Sequence, residues 1–549
     1  MSAGTVSRPA AVDGPLTYGN WRQPMSPGLP RLGLIGTGAA LSALVLVMFV
    51  QISAGLLAAM VAGVGCAVGI APVAWRNRAG RNGWQVLVAK GAWRVGRRRR
   101  QHLYLSSLVA PVSFGSARLP GLLANSELLS AVSSHGERFA LIHLPSTKHY
   151  AVIIRCDPEG SQLVDVETVD EWVACWGSWL AKLGHEANLE ACTVTIETAP
   201  DSGSRLSAEV DAMLSPTAPA LSRAVLTEAA GSYPHGSAAV NAYVTLTFSA
   251  RRVAHTEGEG VLGRTSGPAG AVPPGAGAPA KANVSVRSQQ EMAAQIGRRL
   301  PLLLHQLRSA GAGTGTAMTV GQVAETVRVA YDPAAARLLD RARAQHSVAT
   351  HPGSRGAQAR PALVDWQDAG PVAQVEAWDH LRHDSGASIT WQMVEPPRGA
   401  VTSRVLEQLL EANDGLARKR VTLIYRPHDP ASAARVADAD VRTAVGRANA
   451  RAGEGRATET LSLVAARQCA AEQAAGAGLV RFSLLVTATV EDPSQLGQAA
   501  ELIDQLGPAC QLRLRRCFFS QAAAFTAALG VGVVLPKHVA VPDLVRDNL

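Results

Sequence analysis

The chain has 549 residues, 47% hydrophobic and 17% charged, a composition that excludes a disordered protein and allows two or three domains. Its formal net charge of +9 suits nucleic acid or an anionic membrane surface. The seven cysteines (Cys66, Cys156, Cys175, Cys192, Cys469, Cys510, Cys517) are odd in number and contain no CxxC pair, which argues against a disulfide framework or a zinc ribbon.

In chain order, residues 1–31 form an N-terminal segment placed in the cytoplasm. From Leu32 to Trp75 there is no Asp, Glu, Lys, Arg or His. A helix crosses the hydrocarbon with about 20 apolar residues, so the block 32–75 predicts two crossings, with Gln51-Ile52-Ser53 as the turn between them. A secretory signal would be shorter and cleaved, whereas here arginines follow and halt transfer. Arg22 and Arg31 precede the block, and Arg76, Arg78 and Arg81 follow it. The positive-inside rule therefore predicts a two-pass membrane protein with both termini cytoplasmic. Small residues predict a helix-packing face: Gly33 and Gly36 in the first helix, Gly63, Gly65 and Gly69 in the second. Gly65 and Gly69 have GxxxG spacing. Chance placement in a Gly/Ala-rich chain is the plain alternative.

Residues 76–103 read as a basic interfacial helix. Trp84, Leu87, Val88, Gly91 and Val95 recur at helical spacing opposite Lys90, Arg94 and the run Arg97, Arg98, Arg99, Arg100. Together with Arg76, Arg78 and Arg81, these cations are the candidate contacts to lipid headgroups or another anionic surface. A nucleic-acid stripe is the sharper alternative, but the run lacks the stacking aromatics of a single-strand platform. A solvated linker helix is the bland one.

An α+β region is expected beyond, its first half over 104–250. Tyr150, Val152 and Ile154 alternate as in a strand. In "TVDEWVACWGSWLAKLG", Thr168 and Glu171 predict a capping box, and Trp172, Trp176, Trp179 and Leu183 share a helix face read as core. "EACTVTIETAP" and "AAVNAYVTLTF" read as strands. Residues 251–285 are too rich in Gly, Pro and Ala to bury a core and read as a linker. The second half, 286–549, opens with a helix capped by Ser288 and Glu291, continues with "TVGQVAETVRVAYDP" and a flexible stretch 346–361, and holds a strand "KRVTLIYRP" and a helical region over 431–475. It closes on a β-α-β unit in which Asp492 and Pro493 start the helix and Gly507-Pro508 end it.

No constellation for catalysis stands out. None of the six lysines sits in a GxxxxGK[ST] loop, and neither GxSxG nor HExxH occurs. In "WDHLRHDSG", Asp379, His380, His383 and Asp384 could bind a metal from a helix, but the flanking segments favour strand, which would send the two histidines to opposite faces. No catalytic residue, metal ligand or cofactor is assigned, and a non-enzymatic role is expected.

Several phrases together resemble an actinobacterial family of integral membrane proteins encoded in conjugative elements: "TYGNWRQPMSPGLPRLGLIGTG", "VDEWVACWGSWLAKLG", "TVTIETAPDSGS", "VRVAYDPAA", "DWQDAGP" with "RHDSGASITW", and "LRRCFFSQAAAFTAALG". The resemblance implies association with a type IV secretion system, whose neighbouring genes encode a PrgI-type small membrane protein and a secretion ATPase. The closing β-α-β with "SQAAAF" and "VVLP" is similar to the end of the non-ATPase N-terminal domain of type IV secretion ATPases. The implied role is a structural adaptor that docks the separate ATPase at the membrane. A type VII secretion membrane component with two helices and a cytoplasmic domain is the rival, and a membrane-anchored metal enzyme a distant third. Homo-oligomerisation and contact of the basic face with DNA stay open.

Overall fold

Alternating apolar residues and Thr/Val-rich runs favour strands, and in the computed structural model they form one 13-stranded sheet with helices on both faces. The structure describes residues 18–19, 21, 33–74, 82–106, 119–158, 160, 164–201, 217–232, 238–251, 286–349, 362–397, 399–413, 415–449 and 457–539, with isolated positions between 201 and 217. The protein is thus α+β, with one long apolar helix near its N-terminus.

That helix, α1 (Gly33–Ala74), is interrupted at Gly55, whose φ of 86° and ψ of 177° lie outside helical values. The interruption falls after the expected Gln51-Ile52-Ser53 turn because those residues stay helical. Ser53 Oγ satisfies itself by donating to the Phe49 carbonyl at 2.9 Å, whereas a positive φ is cheap only at glycine. Helix α2 (Gly83–Arg98) follows, shorter than the expected 76–103, and a tight turn leads into β1 (Leu103–Leu105).

The next elements are β2 (Glu127–Val132), β3 (Arg138–Leu144), β4 (His149–Asp157), α3 (Val166–Leu183), β5 (Leu189–Pro200), α4 (Ala220–Ser232), β6 (Ala238–Ser249), α5 (Gln289–Leu307), β7 (Thr314–Ala317), α6 (Val320–Tyr331) and α7 (Ala335–Ala349). A second series comprises β8 (Ala373–Glu376), β9 (Leu381–His383), β10 (Gly386–Glu395), α8 (Glu407–Leu410), β11 (Arg418–Pro427), α9 (Pro430–Asn449), α10 (Ala457–Ala474), β12 (Val480–Val490), α11 (Leu496–Ala509), β13 (Arg513–Arg516), α12 (Gln521–Ala528) and α13 (Leu535–His538).

The sheet order is β1-β8-β9-β10-β12-β11-β5-β6-β4-β3-β2, with β13 on β10 and β7 on β4. Apart from β1, it reads the same from either end. In the first series β4-α3-β5-β6-α5-β7 has the spatial order β7-β4-β6-β5, and β10-α8-β11-β12-α11-β13 repeats it as β13-β10-β12-β11. Each is the β-α-β-β-α-β arrangement of the ferredoxin-like type, preceded by a hairpin (β2-β3, β8-β9). The two units join through antiparallel pairing of β5 with β11, in which Arg420 lies opposite Glu197. Elements on both sides of 251–285 therefore contribute to the first unit, since β7 pairs with β4. Residues 252–285 lie outside the described residues, while Arg251 and Val286 form an antiparallel bridge.

Strand alternation divides the core between the two sheet faces. Phe139, Leu141, Val152, Ile154, Trp179, Leu183, Met292 and Leu300 pack on one face of the first unit. Ile389, Trp391, Val486, Ala500 and Ile503 pack in the second. Ile142, Ile153, Ile424, Leu485, Tyr331, Phe525 and Val531 form a cluster that spans both units on the other face. The Trp176–Trp179–Leu183 face of α3 is core, as expected. Its helix starts one turn early, capped at Asp165, so Thr168 lies inside it. The Ser288/Glu291 capping box forms as read, with Ser288 Oγ accepting from the Glu291 amide at 3.2 Å. Asp492 accepts from the Ser494 amide at 2.9 Å. Helix α11 continues through Pro508 to Ala509, α7 runs to Ala349 rather than ending at 346, and the 431–475 region is two helices.

Reciprocal straps cross the junction. At the end of α6, the Tyr331 carbonyl accepts from His383 Nδ1 of the second unit at 2.6 Å. After α12, the Gly530 carbonyl accepts from Thr245 Oγ1 of the first at 2.6 Å. Gly532, at φ 85°, lies so close to β4 that a Cβ there would be 2.3 Å from that of Ala151.

Candidate functional site

The candidate cations of α2 stand between the apolar helix and the first strand of the sheet. On α2, Trp84, Leu87, Val88 and Val95 are exposed, as are Lys90, Arg94, Arg97, Arg98, Arg99 and Arg100. Arg76, Arg78 and Arg81 lie outside the described residues. The apolar residues of α2 are thus exposed beside a row of exposed cations.

Two contacts fix α2. Trp84 Nε1 donates to the Gly69 carbonyl of α1 at 3.1 Å. At the other end Trp93 meets Phe519 edge to face, with ring centroids 6.0 Å apart, and Arg97 lies over the Trp93 ring at 5.3 Å. Phe519 in turn contacts Trp378, which stacks on Phe518 at 5.3 Å. Aromatic groups from α2, the β8-β9 hairpin and the start of α12 thus lock the helix to the second unit.

Of the candidate packing glycines, Gly36 is buried, and a Cβ on Gly63 would lie 4.0 Å from Val47 Cγ2. Gly65 and Gly69 are exposed, and a Cβ on either would meet nothing within 4 Å among the described residues; Gly69 instead offers its carbonyl to Trp84. Gly33 starts the helix.

Sequence reasoning missed Tyr18. Its backbone forms a two-bond antiparallel bridge with Val401, both bonds 2.8 Å, and its hydroxyl donates to Asp170 Oδ1 at 3.0 Å. Burial and the neighbouring carboxylate push the phenol up to about 12. Tyr18 precedes the apolar helix, whereas Asp170 and Val401 follow it. The sequence signal was the aromatic pair Tyr18 and Trp21, the aromatic residues ahead of the apolar block.

His380 and His383 have different surroundings. Among the described residues no three His, Cys, Asp or Glu side chains converge as a metal site. His383 is buried, with Nδ1 donating to the Tyr331 carbonyl and Nε2 2.7 Å from Ser388 Oγ. A carbonyl only accepts, so the proton sits on Nδ1 and Ser388 donates to Nε2. Burial pushes the ring down to about 4. His380 pairs with Asp379 at 2.8 Å on the surface side. Asp384 accepts from the Val372 and Ala373 amides at 2.8 and 3.0 Å and pairs with Arg328 at 3.0 Å.

At the junction of the units, Arg418 and Arg420 of β11 both donate to the buried Glu197 of β5. Burial alone would raise that carboxyl; the two guanidiniums outweigh it and hold the group below the usual carboxylate range.

A family described as a domain of unknown function, DUF8461, matches residues 25–85. That stretch covers the apolar helix and the first residues of α2. No curated protein matches the chain.

Proposed function

We propose that the protein is a membrane-anchored, non-enzymatic adaptor whose apolar segment crosses the bilayer twice and whose sheet domain stays on the side where the chain begins. One observation carries this reading: Tyr18, ahead of the apolar segment, is bonded to Val401 and Asp170, behind it. A segment whose two flanks are tied together crosses a membrane an even number of times.

Geometry within α1 supports two crossings. Residues 47 and 63 would stand about 24 Å apart along an unbroken helix, yet a Cβ on Gly63 comes to 4.0 Å from Val47, and Gly55 supplies a non-helical residue midway. A small residue at such a contact suits close helix packing in lipid. The arginine-rich exit favours the cytoplasm for both ends.

On the resemblance to the conjugative-element family, the sheet domain docks a separate type IV secretion ATPase beside a PrgI-type membrane protein. The test is affinity purification of the full chain in mild detergent from cells carrying the whole element. The adaptor reading expects the ATPase to co-purify in fixed proportion. An intact, membrane-extracted chain that never brings the ATPase refutes it, and recovery of small WxG proteins instead points to type VII secretion.

A further inference from the structure

We propose that the β1-β8 end of the sheet is a second lipid-contacting surface, seating the domain itself on the interfacial region of the bilayer beside α2. This rests on the membrane reading above and extends it from one helix to the domain.

In the antiparallel pairing Leu103 lies opposite Val375 and Leu105 opposite Ala373, so these side chains share one face. On that face Leu103 is 43% exposed, Leu105 50% and Val375 40%. Three large apolar side chains left open on a two-strand ribbon need a covering. The opposite face is already occupied: Gln374 is buried there, and Glu376 accepts from the Ala522 amide at 2.9 Å.

Continuity and charge identify what covers the open face. β1 follows α2 directly, with the Gln101 amide bonded to the Gly96 carbonyl at 2.9 Å and the Leu103 amide to the Arg100 carbonyl at 3.2 Å. The apolar ribbon therefore lies one turn from a helix that is itself tied to α1 through Trp84 and Gly69. Arg382 stands opposite Val375 on β9 and is exposed, while Arg98, Arg99 and Arg100 lead into β1. An apolar patch rimmed by arginines matches an interface with acyl chains below and phosphates above. Trp378, 49% exposed, adds an aromatic of the kind enriched at that depth.

The full chain, reconstituted in nanodiscs of phosphatidylcholine and phosphatidylglycerol with the partly exposed Cys66, Cys175 and Cys469 replaced by Ala, carries a spin label at one position at a time: Leu105→Cys, Val375→Cys, Val88→Cys on α2, or Leu221→Cys on the distant α4. Collision with oxygen, which enriches in lipid, is compared with collision with a water-soluble nickel chelate. The inference expects positions 105, 375 and 88 to favour oxygen and position 221 to favour nickel. If 88 favours oxygen while 105 and 375 behave like 221, the domain surface is not a lipid contact although the anchor stands. If 88 also favours nickel, α2 does not lie at the interface and the lipid-contacting surface argued to continue from it is overturned, while the two crossings of α1 are untouched.

Discussion

At the scale of single residues, one glycine and one histidine decide how the C-terminal strap and the first-unit strap seat. Gly532→Ala puts a methyl group into Ala151 at a positive φ. The variant should lose about 1–3 kcal/mol, the usual cost of overpacking, measured as a lower urea midpoint of the detergent-solubilised chain. A matching substitution at exposed Gly399, where a Cβ meets nothing, should leave the midpoint unchanged. His383 gives a pH dependence. Its folded ring is pushed from 6.5 down to about 4, so between those values the unfolded chain binds a proton that the folded chain refuses. Stability is full above about pH 6.5 and falls as pH drops towards 4, by about 3 kcal/mol for this ring alone. His149, buried and also pushed down to about 4, adds a similar loss. Urea midpoints from pH 7.5 to 4.5 should show the fall, and His383→Gln should make it shallower without abolishing it.

At the scale of elements, the β5-β11 pair joins the two units and buries the charges of Glu197, Arg418 and Arg420. Glu197→Gln leaves Arg418 and Arg420 buried without their counter-charge and should cost about 3–5 kcal/mol, whereas removing an exposed ion pair such as Arg513–Glu395 should cost under about 1 kcal/mol. Thermal unfolding of the two variants side by side checks the contrast. Much at this scale was legible in the sequence. The Ser288/Glu291 box and the Asp492 cap depend on residues three apart or less, so local chemistry suffices. The β12-α11-β13 closure announced itself through alternating Val and Leu followed by a capped helix. The start of α3 was misread because Thr168/Glu171 satisfies the same pattern as a true cap while Asp165 lies nearer the strand end. The break in α1 was misplaced for a related reason: polarity marks Gln51 to Ser53, but the backbone leaves helical values where a positive φ is tolerated, at Gly55. The internal repeat was illegible because equivalent elements share topology rather than side chains: α3 has 18 residues and its counterpart α8 has 4.

At the scale of the whole molecule, the straps make the two units interdependent. The cluster on one sheet face draws on Ile142 and Ile153 from the first unit and on Ile424, Leu485 and Phe525 from the second. Residues 119–349 expressed alone would leave that face bare and lose the Thr245–Gly530 bond. The fragment should show no cooperative unfolding transition, whereas residues 119–539 should unfold in one step by circular dichroism. Neither the strap exchange nor the Tyr18 tie could be read from the sequence, since each joins residues more than fifty positions apart, and each strap ends on a backbone carbonyl that every residue carries. The candidate site was legible in its parts, the apolar block and the arginines. Its assembly was not, because the contacts of Trp84 with Gly69 and of Trp93 with Phe519 depend on where the sheet places its edge.

Two crossings require both flanks of α1 on one side of the membrane and its middle on the other. Labelling intact cells with a membrane-impermeant maleimide tests this, using single cysteines at Ser53→Cys beside the Gly55 break, at Tyr18→Cys and at Val539→Cys. The account predicts that only position 53 is labelled from outside and that all three react once the cells are opened. Labelling of position 539 from outside while position 18 stays protected would mean a single crossing and would contradict it.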